Sequence, residues 1–179
     1  MTVWVALLRA VNVSGVNKLP MAEFRALMSE MGLEKPKTYI QSGNAVFGSS
    51  LTAPVLSQRL ADNILVRFGF RPPVVILSAA QIKAALEANP FAQATSEPTH
   101  LHAFFMDRAL PDAGFAFLKS LAVEREAYAV RGKVLWLYLP DGIARSKLAK
   151  RVMGLPVDIT ARNLRSVQAL AEIADSFAS

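Results

Sequence analysis

The chain contains no cysteine, which excludes disulfides, thiolate-ligated metals and cysteine nucleophiles together. Histidine is nearly absent too, limited to His100 and His102. Their i, i+2 spacing turns both toward one side of a strand. No carboxylate sits at a recognisable ligand spacing, and no Ser/Asp pair accompanies either ring. A metal centre and a hydrolase triad are therefore unsupported, and strand histidines at a sheet surface or domain contact are expected. Long apolar runs are missing as well. Val3–Leu8 falls short of a signal h-region and of the roughly 20 residues of a membrane span, and no later run reaches that length. A soluble, cytoplasmic protein without membrane contact is expected. The stretch Asp141–Lys147 shares only a Ser-Lys at a helix start with phosphate loops and lacks their glycine spacing, which excludes a nucleoside-triphosphatase reading. No cofactor is implied.

What is present is a folded globular composition, 53% apolar and 19% charged, with no disordered signature. Its 179 residues can hold one sizeable core or two compact subdomains of about 80–90 residues. Net charge is +6, from 20 basic and 14 acidic residues. That modest excess admits anionic metabolites and, less favoured, nucleic acid.

Val3–Leu8 is continuously apolar and reads as a strand buried on both faces. A helix from Pro20 to Met31 follows, with Met21, Phe24, Met28 and Met31 as its apolar stripe and Gly32 as its stop. Strands Thr38–Ile40 and Ala45–Phe47 form a hairpin around Gln41–Asn44. Thr52 caps a second helix carrying Leu56, Leu60, Ile64 and Phe68, closed by Gly69. Val74–Leu77 is the fourth strand. The order βαββαβ is that of a ferredoxin-like unit.

After a linking helix, Ala79–Ala88 with Ser78 as its cap, the order repeats. Strand Leu101–Met106, helix Asp112–Leu121, and hairpin strands Ala127–Val130 and Val134–Leu139 come first. Helix Arg145–Met153, strand Val157–Thr160 and a final helix Leu164–Phe177 complete it. The expected class is α+β: two tandem ferredoxin-like βαββαβ units with an extra C-terminal helix. The boundaries are 1–78 for the first subdomain and 79–179 for the linking helix, second subdomain and terminal helix. Trp4, Trp136 and Tyr138 lie on strands apolar on both faces and are expected in the core, or buried between the two halves, rather than as platforms for stacking bases.

A βαββαβ unit orders its strands 4-1-3-2 with antiparallel neighbours. The loop after strand one and the turn between strands two and three then share one edge. Arg9, Asn12, Asn17 and Lys18 should meet Gln41, Ser42 and Asn44 there. In the second half the same logic brings Ser146 and Lys147 toward Thr160, Arg162 and Asn163 at helix N-termini, where free N–H groups favour an anion. The run Arg145–Arg165 adds six of the 20 basic residues against one acid, Asp158. Asn, Ser and Gly are also ordinary turn and cap residues, so each has a purely structural reading.

These residues carry a resemblance. Leu8-Arg9-Ala10-Val11-Asn12-Val13-Ser14-Gly15-Val16-Asn17-Lys18, Met21 to Arg25, Thr38 to Asn44, Asn89-Pro90-Phe91, Ser146-Lys147 and Thr160 to Leu164 resemble the pattern of a bacterial family known as Domain of Unknown Function 1697. Thr38–Asn44 is the most specific segment. The chain departs from the pattern at Ala10 and Ser14, where the family usually has glycine, at Val16, usually polar, and at Leu164, usually Trp. The resemblance implies a two-part α+β architecture of ferredoxin-like units and supplies no activity, cofactor or substrate.

Three functions compete. The first is a binding module for a small phosphate- or carboxylate-bearing ligand, with Arg9, Lys18, Lys147 and Arg162 supplying charge and Asn12, Asn17, Gln41, Ser42, Asn44, Ser146 and Asn163 orienting it. The second is an enzyme in the same cleft with Lys18 or Lys147 as general acid or electrostatic stabiliser, for which no base or nucleophile is evident. The third is a non-catalytic nucleic-acid or protein interaction module.

Overall fold

The structure is a computed structural model and describes residues 1–121 and 124–177. Each half of the chain forms one four-stranded antiparallel sheet. The first contains β1 (Thr2–Leu8), β2 (Glu34–Tyr39), β3 (Asn44–Ser49) and β4 (Val74–Ser78), with α1 (Met21–Glu30) and α2 (Ala53–Phe68) as crossovers. The second contains β5 (Leu101–Met106), β6 (Ala127–Arg131), β7 (Val134–Tyr138) and β8 (Ile159–Asn163), with α4 (Asp112–Lys119) and α5 (Lys147–Val152). Helix α3 (Ala79–Glu87) links the halves and α6 (Leu164–Asp175) ends the chain. The strand orders β2-β3-β1-β4 and β6-β7-β5-β8 are the expected arrangement twice over, and the fold is two tandem ferredoxin-like units with an added C-terminal helix. By contacts the chain divides into Met1–Ala84 together with the residues from Gln168 onward, and Ala85–Val167. In the former, Asp175 accepts an ion pair from Lys83 at 2.5 Å and Lys37 Nζ donates to Ser176 Oγ at 3.0 Å.

Apolar periodicity explains the cores. Strand residues Ala6, Leu8, Ala45 and Phe47 pack with Phe24, Leu27 and Met28 of α1 and Leu56, Leu60 and Ile64 of α2. In the second unit Phe104, Met106, Leu135 and Leu137 pack with Leu118 of α4 and Leu148 and Val152 of α5. Each of the Leu, Ile, Val, Phe and Met side chains among them contributes about 1.5–3 kcal/mol of burial. The opposite sheet faces are buried as well, at Val5, Leu7 and Val46 in one sheet and Ala103, Phe105 and Trp136 in the other. This matches the unbroken apolar reading of β1 and β7.

Helix ends follow local chemistry. Helix α1 stops in a Schellman motif: Gly32 stands at φ +78, its N–H bonds Ser29 O, and Leu33 N–H bonds Met28 O, both at 3.0 Å. At α3, Ser78 Oγ accepts from Gln81 N at 3.2 Å while Gln81 Oε1 accepts from Ser78 N at 2.8 Å, a reciprocal capping box. Thr52 occupies the cap position of α2, but its side chain makes no capping bond. Several boundaries differ from the sequence reading, and three of them bear on the candidate site residues. Strand β2 begins at Glu34 and ends before Ile40, which turns out of the strand at φ +49. Helix α5 is shorter than Arg145–Met153, starting after its Ser146 cap. Strand β8 runs to Asn163 rather than stopping at Thr160, so Arg162 and Asn163 belong to a strand.

Candidate functional site

At the end of the first sheet, Leu8 N–H donates to Gly43 O at 2.8 Å and Arg9 N–H to Pro73 O at 3.0 Å. The loop then runs 9–20 before α1 and folds back on itself. Asn12 N–H meets Asn17 O at 3.0 Å, Val16 N–H meets Val13 O at 2.9 Å, and Val13 and Val16 form a β-bridge. Between them Ser14 and Gly15 have φ +50 and +77, the positive pair of a type I′ hairpin turn. Asn12 fastens this small hairpin to its surroundings. Its Oδ1 accepts from Leu19 N at 2.8 Å, and its Nδ2 donates to Leu19 O at 2.9 Å and to Gln41 O at 2.8 Å. Asn17 Nδ2 donates to Ala10 O at 2.9 Å.

The facing turn is held as firmly. Asn44 is buried and its Nδ2 donates to Tyr39 O at 3.1 Å and Ser42 Oγ at 2.8 Å. Gly43 has φ +77, and a β-carbon there would lie 2.5 Å from Val11 Cγ2 and 2.8 Å from Leu8 Cβ. Thr38 Oγ1 accepts from Arg25 Nη1. The loop and the turn therefore lie side by side, as the topology predicts. Left-handed backbone is concentrated here: Ala10, Asn12, Ser14, Asn17 and Ile40 have φ between +49 and +57. For residues other than glycine such a conformation costs about 1–2 kcal/mol, less for Asn.

The side chains divide into two sets. Asn12, Asn17 and Asn44 spend their amides on backbone and neighbouring side chains, and Ser42 Oγ accepts from Asn44. Lys18 and Gln41 are exposed, and Arg9 is half-buried at the loop's start. Segments 9–18 and 37–44 carry Arg9, Lys18 and Lys37 and no acid or histidine. Chemically this rim can neutralise and orient an anion, and it has no side chain suited to accept a proton near neutral pH.

The residues of the second predicted cluster serve as helix caps and strand positions. Asn163 pairs with His102 and Thr160 with Phe105, toward opposite ends of β5. Ser146 Oγ accepts from Ala149 N at 2.8 Å, and Asn163 Oδ1 from Ser166 N at 2.9 Å. Both are helix caps, each worth about 1 kcal/mol. Arg162 alternates to the sheet face opposite Asn163, is buried, and donates to Thr160 Oγ1 at 3.1 Å and Ala161 O at 2.7 Å. Burial lowers its pKa to about 10, so it stays cationic at neutral pH.

Lys147 lines a cleft of about 650 Å³ of mixed charge, with Arg125, Arg145 and Arg151 beside Glu124, Glu126 and Asp141. The sequence reading counted Arg151 within the basic run Arg145–Arg165 but did not single out Arg125. His100 Nδ1 lies 3.0 Å from Glu97 Oε2, and His102 is buried with its Nδ1 unpartnered. Among the described residues no group of three His, Cys, Asp or Glu could hold a metal ion, and no helix is long and apolar enough to cross a membrane.

The equivalent rim of the second sheet shows how little the fold itself requires. Met106 N–H donates to Lys133 O at 2.9 Å and Asp107 N–H to Asp158 O at 3.0 Å. The loop before α4 covers only 107–111, and the hairpin turn only Gly132 and Lys133.

A family described as a protein of unknown function (DUF1697) matches residues 1–136. The match includes both segments of the first rim and ends before Ser146–Lys147 and Thr160–Asn163. A solved structure of a conserved bacterial protein from Streptococcus pneumoniae is 25% identical, with a TM-score of 0.75 over 97% of this chain and 98% of that one. No curated protein matches. The chain belongs to the DUF1697 family.

Proposed function

From membership of a family without an assigned activity, we propose that the chain is a binding module for a small ligand bearing phosphate or carboxylate, taken up at the rim between Arg9–Lys18 and Gln41–Asn44. One observation carries the reading. The second unit closes the same sheet end with a loop less than half as long and a two-residue turn, whereas the first holds a longer loop with four left-handed non-glycine residues. Strain of that kind persists where surrounding contacts over-determine it, and it collects at binding sites. Arg9 and exposed Lys18 supply positive charge, and exposed Gln41 supplies an orienting amide. Asn12, Asn17 and Asn44 act one step back, fixing the backbone on which the cations sit. Ser146 and Asn163 serve as helix caps.

Nuclear magnetic resonance titration of ¹⁵N-labelled protein with inorganic phosphate and a nucleotide panel tests the reading. Amides of 9–18 and 41–44 should shift together with a Kd of about 1 mM or tighter, and Lys18→Ala should weaken binding about tenfold. Shifts scattered over the surface, or none by about 10 mM, would overturn it.

A further inference from the structure

We infer that the ligand taken up at this rim is amphiphilic, an anion that also carries a hydrocarbon group; the inference rests on the anion-binding reading above. Three branched aliphatic side chains of this loop and turn stand in solvent. Val13 is 56% exposed, Val16 62% and Ile40 51%. Scattered exposed aliphatics are ordinary, but these three are gathered by structure. Val13 and Val16 flank the type I′ turn as a bridged pair, and directly opposed residues of such a pair share one face with β-carbons about 4.5–5.5 Å apart. Ile40 immediately precedes Gln41, whose carbonyl is gripped by Asn12, the residue before Val13.

Ile40 is the most telling of them. A β-branched residue at φ +49 is a conformational outlier, and asparagine or glycine would occupy the position more easily. Half-exposed, Ile40 gains little from the core in compensation. The second unit's turn offers the contrast: Arg131, Gly132 and Lys133 are exposed, as turn residues usually are. In the first unit the loop that carries Arg9 and Lys18, and the turn facing it, instead hold hydrocarbon out to solvent. A purely hydrophilic anion would use only the cations. A ligand with an acyl or alkyl group next to its phosphate or carboxylate would use both sets.

The probes are inorganic phosphate, hexyl phosphate as a monomer, and vesicles of anionic phospholipid. Each methylene buried is worth roughly fourfold in affinity, so hexyl phosphate should bind at least about tenfold tighter than phosphate and shift the methyl resonances of Val13, Val16 and Ile40. Val16→Asn and Ile40→Asn should each remove most of that gain, and Ile40→Asn also relieves the left-handed backbone, so loss of fold does not obscure the result. Vesicle binding that depends on Val16 and Ile40, with no tighter binding of monomeric hexyl phosphate, would support the same chemistry and assign its source to a membrane headgroup. If phosphate binds and neither amphiphile gains over it, this inference fails while the anion reading stands. If none of the three probes binds, both fail.

Discussion

In the first unit Leu8 reaches Gly43 and Arg9 reaches Pro73; in the second Met106 reaches Lys133 and Asp107 reaches Asp158, each by the same backbone bond within 0.1 Å. The strand order is the same, and so is the edge. What differs is everything attached to it. The second unit spans the edge with short connections, tied by three side chains: Asp107 Oδ1 accepts from Asp158 N at 2.9 Å, Arg108 Nη2 donates to Pro156 O at 2.7 Å and Lys133 Nζ to Asp107 O at 3.3 Å. The first adds a folded-back hairpin, three bonds from one asparagine, and a turn packed so closely that one position admits no β-carbon. Topology accounts for the shared bonds and for nothing beyond them. The surplus in the first unit is therefore where selection for something other than folding is to be sought.

The sharpest way to break that comparison is alanine at the two turn glycines. Gly43→Ala places a methyl group against Val11 and Leu8 and forces alanine into φ +77. The two penalties together should cost about 3 kcal/mol or more. Gly132→Ala meets nothing within 4 Å and faces only φ +58, so about 1 kcal/mol is expected. Urea denaturation of the two variants measures the gap directly. Equal losses would mean that the turn in the first unit is no tighter than its counterpart.

Acid separates the units by another route. His102 is buried in the second sheet between Asn163 and Leu137, and its pKa is lowered to about 4, chiefly by desolvation, with repulsion from His100 adding to it and a backbone hydrogen bond opposing it. The unfolded chain takes up this proton near the ordinary histidine value of about 6.5. Stability contributed by the neutral ring is thus complete above that pH and lost as pH falls toward 4, by about 2–3 kcal/mol. Amide exchange at pH 4.5 should show β5, β7 and β8 losing protection ahead of β1, β3 and β4. His102→Leu should flatten the acid limb. An unchanged limb in that variant would assign the acid sensitivity elsewhere.

The order of elements could be read from the chain because apolar spacing carries it: Met21, Phe24 and Met28 mark a helix face, and unbroken runs mark β1 and β7. Pairing at the first rim followed from topology alone. The second cluster was less legible, because Ser146 and Asn163 look alike in sequence whether they cap a helix or meet a ligand, and polar Arg162 and Asn163 extend a strand that apolar pattern alone ends at Thr160. Backbone hand was the least visible property. Neither Ala10 nor Ile40 has a side chain that announces a left-handed conformation. The family's usual glycines at the positions of Ala10 and Ser14 were the one sign of it.

Those two positions supply the mildest test of the comparison. Ala10 stands at φ +57 and Ser14 at φ +50, each held there at a cost of about 1 kcal/mol or more that glycine would remove. Glycine also enlarges the freedom of the unfolded chain, which returns about 0.5–1 kcal/mol of the gain. The double variant Ala10→Gly, Ser14→Gly should therefore be more stable by only about 1 kcal/mol, a rise of about 2–4 °C in Tm for a chain of this size. Binding should move the other way. If the loop is strained in order to hold Arg9 and Lys18 in place, loosening it should weaken phosphate about two- to fivefold while the fold gains, the usual opposition between stability and function. A variant that gains stability and binds phosphate as well as the parent would show that the strain serves no ligand, and the difference between the two rims would then need another cause.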